Sequence, residues 1–160
     1  MTLKVAIIGA GAIGGYVGVK LALAGEDVSF TARGANLDAI RRHGMRLQLH
    51  DGSEQLAREV RATNDYAEAG VMDVVVLAMK AHQLEAVAPQ LHQLVGPHTS
   101  IVTMQNGIPF WYFHGQRGAH EGVVVRSVDP DGTLARLIPV RQVIGCVVYP
   151  AAELVAPGVV

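Results

Sequence analysis

The run Gly9-Ala10-Gly11-Ala12-Ile13-Gly14 follows the spacing G-x-G-x-x-G, which suits a backbone that must pass close to a diphosphate. Gly9 makes the turn. Gly11 lets the chain approach the pyrophosphate with no Cβ between them, and Gly14 lets the next helix sit tightly on a sheet. Unpaired N–H groups and the positive end of the helix dipole then face the anion. A glycine-rich turn with no ligand is the alternative, but a strand precedes the run and a helix opens inside it, as a ligand-binding turn requires. About 20 residues further on, a carboxylate would bind the ribose hydroxyls of NAD. Here the chain reads Phe30-Thr31-Ala32-Arg33 instead. No carboxylate repels a phosphate there, Arg33 offers a fork that matches phosphate geometry, and Thr31 adds a hydroxyl. The expected cofactor is NADP; the plain alternative is a solvated surface arginine.

Two later residues stand at strand ends. Lys80 directly follows the apolar run Met72 to Met79, and ligands of open α/β sheets gather outside the carboxyl ends of strands. A lysine before a helix opposes the helix dipole, so propensity does not explain it, although a solvent-facing lysine stays open. Asn106-Gly107 is either a tight hairpin turn or the carboxyl end of a strand. The following Ile108-Pro109-Phe110 favours a new helix and hence the strand end. An amide placed there can donate to one atom and accept from another, serving a cofactor ribose and a substrate oxygen together.

The elements needed to position these residues follow from the apolar pattern. Strand-length apolar runs alternate with helical periods, the mark of βα units around a parallel sheet. Lys4 to Ile8 is the first strand, Ala12 to Ala24 a helix stopped by Gly25, and Asp27 to Thr31 the second strand. Asn36 to His43 reads as a short helix. Met45 to His50 and Glu54 to Arg61, joined by Asp51-Gly52, read as an antiparallel hairpin. Met72 to Met79 is a buried strand, His82 to Val95 a helix ended by Gly96-Pro97, and Ser100 to Met104 the next strand. Beyond the aromatic cluster Trp111-Tyr112-Phe113, a second hairpin is expected from Val123 to Val128 and Thr133 to Ile138 around Asp129-Pro130-Asp131-Gly132. A strand from Gln142 to Tyr149 and a strand-like run from Val155 to Val160 follow. The fold class is α/β, a Rossmann-like doubly wound, mostly parallel sheet with helices on both faces and added antiparallel strands.

Bulk properties narrow the function. A chain of 160 residues, 50% hydrophobic and 17% charged, can bury one ordinary core. Its net charge of −1 gives no basic footprint for nucleic acid and no polybasic stretch for a membrane surface. The N-terminal apolar run, broken by Gly9, has neither the length nor the flanks of a signal peptide or membrane span. Together with the single Cys146 this points to a cytoplasmic protein. The seven histidines have no metal-like spacing, so no metal is expected. A mean hydropathy of +0.28 implies a face covered by another domain or by a second copy of the chain.

On these pieces the chain resembles the ketopantoate reductases (2-dehydropantoate 2-reductases), NADPH enzymes of pantothenate and coenzyme A biosynthesis. The match rests on the glycine run with Gly15, Thr31-Ala32-Arg33-Gly34, Leu77-Ala78-Met79-Lys80-Ala81 and Met104-Gln105-Asn106-Gly107-Ile108. The resemblance implies that Gly9 to Gly14 cradle the pyrophosphate, that Arg33 meets the 2′-phosphate, and that Met79 and Lys80 lie along the cofactor. Asn106 would touch the nicotinamide ribose side and orient the keto acid. Gly145 to Ala151 resembles the strand and loop beside the nicotinamide, with Ala151 a contact. The family continues into a helical second domain whose lysine acts as general acid; that domain is absent from these 160 residues, and one or two closing strands of the nucleotide domain are expected beyond Val160. Residues 1–160 are then an NADP-binding Rossmann domain, inactive alone. Open alternatives are a reductase for another branched 2-oxo acid and a non-catalytic NADP-binding or redox-sensing module.

Overall fold

The apolar run at the start is a central strand because both of its faces are covered. In the computed structural model, which describes residues 1–160, β1 (Lys4–Ile8) sends Val5 and Ile7 into one core and Ala6 and Ile8 into the other. Successive side chains of a strand point to opposite faces, so one strand feeds both cores. In chain order come α1 (Ala12–Leu23), β2 (Asp27–Thr31), α2 (Gly34–His43), β3 (Met45–Gln48), β4 (Glu54–Ala57), β5 (Arg61–Thr63) and α3 (Tyr66–Ala69). Then follow β6 (Met72–Leu77), α4 (Leu84–Val87), β7 (Val95–Met104), α5 (Thr133–Leu137) and β8 (Val143–Cys146).

The main sheet has the order β5-β2-β1-β6-β7-β8, with every neighbouring pair parallel. This is the expected Rossmann-like doubly wound fold. The strand order reverses between β1 and β6, so the carboxyl ends of these two strands open the crevice in which ligands bind. Helices α1 and α2 and the antiparallel pair β3–β4 cover one face, packing around Phe30, Ile40 and Met45. On the other face lie α3, α4, α5 and the 3₁₀ turns Ala81–Gln83 and Ala88–Gln93, around Leu77, Leu91 and Ile138. No helix is long and apolar enough to cross a membrane.

Several expectations are corrected. Residues 82–95 are not one helix but a 3₁₀ turn, one turn of α4 and a second 3₁₀ stretch carrying Pro89 near its start; a proline inside a helix removes a donor and clashes with the preceding turn. Strand β7 begins at Val95, because the buried Thr99 hydroxyl donates to Met72 O at 2.6 Å and accepts from Gly96 N at 2.8 Å, so the Gly-Pro segment runs on as strand. The run Glu54 to Arg61 splits: β4 completes the hairpin, and β5 leaves it to pair parallel with β2. The second hairpin does not form. Buried Asp129 accepts from the amides of Leu134 and Ala135, both at 3.0 Å, and this cap turns Thr133–Leu137 into α5. No helix follows Pro109; residues 110–115 are turns. The last strand is shorter than Gln142 to Tyr149, and near the end only Ala156 and Val159 form bridges. Large apolar residues remain exposed along and after β8, among them Ile144, Val147, Tyr149 and Val155.

Candidate functional site

The turn from β1 into α1 is held from below. Gly9 has φ +99°, a conformation that favours glycine, and its N–H donates to Thr31 Oγ1 at 3.2 Å while that hydroxyl donates to Ile7 O at 3.3 Å. Ala10 N–H donates to Thr31 O, and Asn36 Nδ2 donates to Ala10 O at 2.8 Å. The loop is thus fixed by β2 and α2. The Thr31 hydroxyl, expected to face a phosphate, is instead turned inward as the brace of Gly9.

The three glycines of the motif have different surroundings. A Cβ at Gly14 would overlap the Gly9 carbonyl oxygen and crowd Ile7 and Ala78, whereas a Cβ at Gly11 would meet nothing within 4 Å. Gly14 is therefore required by packing; the bare backbone of Gly11 faces open space that packing does not explain. Gly11 caps α1 with no side-chain bond and no acidic residue stands in the first turn. The first helical bond runs from Gly15 N–H to Gly11 O, so the N–H groups of Ala12, Ile13 and Gly14 have no helical acceptor. They form a cradle for an anion.

Around this cradle lies a cleft in two halves that share Gly9, Gly11, Met79 and Gln83. The half toward β2 is about 550 Å³ and includes Ala10, Thr31, Arg33, Asn36 and Tyr66. Arg33 is exposed at the N-cap of α2 and makes no ion pair, leaving its guanidinium free to bind an anion. The half toward β7 is about 670 Å³ and brings Ala12, Ile13, Lys80, Asn106 and Ala151 together with the glycine loop. Residues more than 100 positions apart in the sequence thus meet at the switch point. Gly14 alone among the expected site residues lines neither half.

Asn106 is engaged differently from expectation. Its Oδ1 accepts from Val148 N at 2.8 Å and its Nδ2 donates to Val148 O at 3.0 Å, tying the loop after β7 to the loop after β8. One N–H and one lone pair remain for a ligand. Lys80 is exposed and makes no ion pair, while its backbone N–H is held by Gln83 Oε1 at 3.1 Å.

Three contributors were missed in the sequence. Gln105 Nε2 reaches Met79 O at 3.1 Å and fixes the loop that carries Lys80. Asn36 links the glycine loop to Gly158, whose N–H donates to its Oδ1 at 2.7 Å. Tyr66 is buried beside Thr31 and Arg33; burial pushes its phenol above the ordinary tyrosine value, and the Thr31 hydroxyl and Arg33 guanidinium offset this in part. Adjacency to the motif marked Gln105, which precedes Asn106. Nothing local marked Tyr66, since its neighbours come from β2 and the start of α2.

A sequence model of the family described as ketopantoate reductase PanE/ApbA matches residues 5–160. The chain belongs to that family. It is 52% identical over 159 residues to a 2-dehydropantoate 2-reductase of Mesorhizobium japonicum, a match that covers 99% of this chain and 48% of the relative. A crystal structure from Ralstonia solanacearum, assigned provisionally as a ketopantoate reductase, superposes with a TM-score of 0.90 at 45% identity, over 99% of this chain and 49% of that one. The 2-dehydropantoate 2-reductase of Porphyromonas gingivalis gives a TM-score of 0.77 at 28% identity, over 99% and 50% of the two chains. The chain spans about half the length of these relatives.

Proposed function

We propose that residues 1–160 are the NADPH-binding domain of a reductase that converts 2-dehydropantoate, or a related branched 2-oxo acid, to its 2-hydroxy acid, a step of pantothenate and coenzyme A biosynthesis. The observation that carries the cofactor reading is the pairing of a backbone cradle at Gly11, where an added Cβ would meet nothing within 4 Å, with an Arg33 guanidinium that makes no ion pair, just past the end of the neighbouring strand. When bound, NADPH supplies the hydride for the ketone carbon.

The roles of the chain's own residues follow from their places. The N–H groups opening α1 hold the diphosphate, and Arg33 binds the 2′-phosphate and so selects NADP over NAD. Asn36 and Thr31 keep the cradle in shape and hold no charge themselves. At the other end Lys80 places a positive charge beside the reacting centre, where it attracts the anionic 2-oxo acid. Asn106 has one free N–H to orient a substrate or ribose oxygen, and its clamp on Val148 fixes the angle of that donor. The proton for the developing alkoxide is assigned, by resemblance to the family, to a lysine outside these residues.

The test uses the purified chain. NADPH is expected to bind, seen as a rise in its own fluorescence, with no consumption of NADPH when 2-dehydropantoate is added. Absence of binding by folded material would remove the cofactor reading, and turnover by the chain alone would remove the division of labour.

A further inference from the structure

Beside Arg33 the wall of the cleft carries a buried tyrosine. Tyr66 opens α3, and that short helix is fixed at its start: Asp65 Oδ1 accepts from Ala67 N–H at 2.9 Å, and Thr63 Oγ1, at the end of β5, accepts from Asp65 N–H at 2.9 Å. Ala32 N–H donates to Thr63 O at 3.1 Å, so the ends of β2 and β5 stay side by side, and Arg33 and Tyr66 with them. Tyr66 is 6% exposed and belongs to the core cluster of Ile8, Leu84 and Val87, yet it also lines the β2 half of the cleft with Thr31, Arg33 and Asn36. The body of the ring is core, and its polar end meets the cleft. A phenol buried to this degree ordinarily finds a hydrogen-bond partner. This one forms no hydrogen bond of ordinary geometry within the chain: the Thr31 hydroxyl is near enough to ease its ionisation, but it is committed to Gly9 N–H and Ile7 O. No carboxylate lines this half, where Arg33, His82 and Tyr66 are the titratable groups. The carboxylates of α3 are turned elsewhere, Asp65 to Ala67 N–H and Glu68 to Thr63 and Arg41.

We infer that Tyr66 is a specificity residue for the phosphorylated ribose: its hydroxyl donates a hydrogen bond to the 2′-phosphate that Arg33 holds by charge. The inference rests on the proposed function in taking Arg33 as the cation for that phosphate. The two groups divide the work. A guanidinium on a long side chain supplies charge over a range of positions, whereas a phenol whose ring is locked in the core supplies one directed donor, and its bond to a phosphate oxygen is charge-assisted. An unphosphorylated ribose offers the same donor only a neutral hydroxyl, so the bond favours NADP over NAD.

Tyr66→Phe keeps the ring in the core and removes only the hydroxyl. Calorimetry of the purified chain with adenosine 2′,5′-bisphosphate and with adenosine 5′-monophosphate separates the 2′-phosphate from the rest of the nucleotide. The wild type should bind the bisphosphate more tightly. Tyr66→Phe should raise the bisphosphate Kd about tenfold and leave that of the monophosphate within about twofold. A second readout needs no variant. With the tyrosines labelled at Cζ with carbon-13, one of the four tyrosine resonances should titrate at higher pH in the bisphosphate complex than in the monophosphate complex, because a phosphate at the phenol disfavours the phenolate. An equal loss for both nucleotides in Tyr66→Phe would overturn the inference, as would four resonances that each titrate alike in the two complexes. The wild type alone tests the reading beneath it: no preference for the bisphosphate removes the role of Arg33 and this one with it, whereas a preference kept in full by Tyr66→Phe removes only Tyr66.

Discussion

Alanine at Gly14 and alanine at Gly11 should separate the two tasks of the glycine run. At Gly14 the new Cβ would overlap the Gly9 carbonyl oxygen and lie 2.9 Å from Ile7 Cγ2 and 3.1 Å from Ala78 Cβ. These atoms belong to β1, to the turn that follows it and to the loop after β6, which the centre of the sheet holds in place, so no long flexible side chain can yield. Overpacking of this kind costs about 1–3 kcal/mol. In a domain of this size about 1 kcal/mol moves Tm by about 2–4 °C, so Gly14→Ala should lower Tm by roughly 2–12 °C. At Gly11 there is no atom within 4 Å of the new Cβ and φ is −84°, which alanine adopts freely. The stiffer unfolded chain gains about 0.4–1 kcal/mol, a weaker N-cap offsets it, and Tm should move by less than about 2 °C. Binding should respond in the opposite order. A methyl at Gly11 pushes the diphosphate off the N–H cradle, and charge-assisted hydrogen bonds of about 1.5–3 kcal/mol are lost, a rise in Kd for NADPH of about tenfold to a hundredfold. Scanning fluorimetry and calorimetry on the two variants measure both quantities. A Gly11→Ala chain that binds NADPH as the wild type does would refute the reasoning, and so would a Gly14→Ala chain of unchanged stability.

Asn106→Ala removes the acceptor of the Val148 amide; hydrogen exchange at Val148, followed by NMR, should quicken by about 2- to 12-fold, and Asn106→Asp should restore only part of the protection, because its carboxylate still accepts from Val148 N but loses the donor to Val148 O. An unchanged Val148 rate in Asn106→Ala would mean that the clamp is not held in solution. Tyr66 should ionise above the ordinary tyrosine value because burial disfavours its phenolate, read from absorbance at 295 nm as the difference between the wild type and Tyr66→Phe. Its folded value lies above the ordinary one near 10.0, so its contribution to stability is complete below that pH and is lost as pH climbs through the folded value. In Arg33→Ala the Tyr66 value should rise further, because the guanidinium favours the phenolate; a Tyr66 difference spectrum centred at or below the ordinary tyrosine value would contradict this.

The first βαβ unit was legible almost to the residue. Lys4–Ile8 and Asp27–Thr31 are strands at the expected bounds because strands covered on both faces write themselves as unbroken apolar runs. The hairpin was marked by Asp51-Gly52, with Gly52 at φ +82°. What failed depended on partners far along the chain. Strand β5 has three residues, one of them the exposed Arg61 paired with Asp27, and an edge strand so short carries no apolar signal. Asp129-Pro130-Asp131-Gly132 looks locally like a hairpin turn, and only the buried carboxylate of Asp129 reaching two amides makes it a helix start. Of the candidate site, the glycine run, Arg33, Lys80 and Asn106 were visible as residues near strand ends, and the structure places them around one cleft. The inward turn of the Thr31 hydroxyl and the grip of Asn106 on a backbone 42 residues away were not, since each is fixed by tertiary packing and not by its neighbours in sequence.

The central claim is that a free guanidinium beside the cradle recognises a phosphate on the ribose. Its most direct measurement is a calorimetric cycle: NADPH and NADH, each titrated into the wild-type chain and into Arg33→Ala. The wild type should prefer NADPH, and Arg33→Ala should weaken NADPH by about tenfold to a hundredfold, less at high salt, while leaving NADH nearly unchanged. Equal affinity of the wild type for the two dinucleotides, or an equal loss for both in the variant, would contradict it.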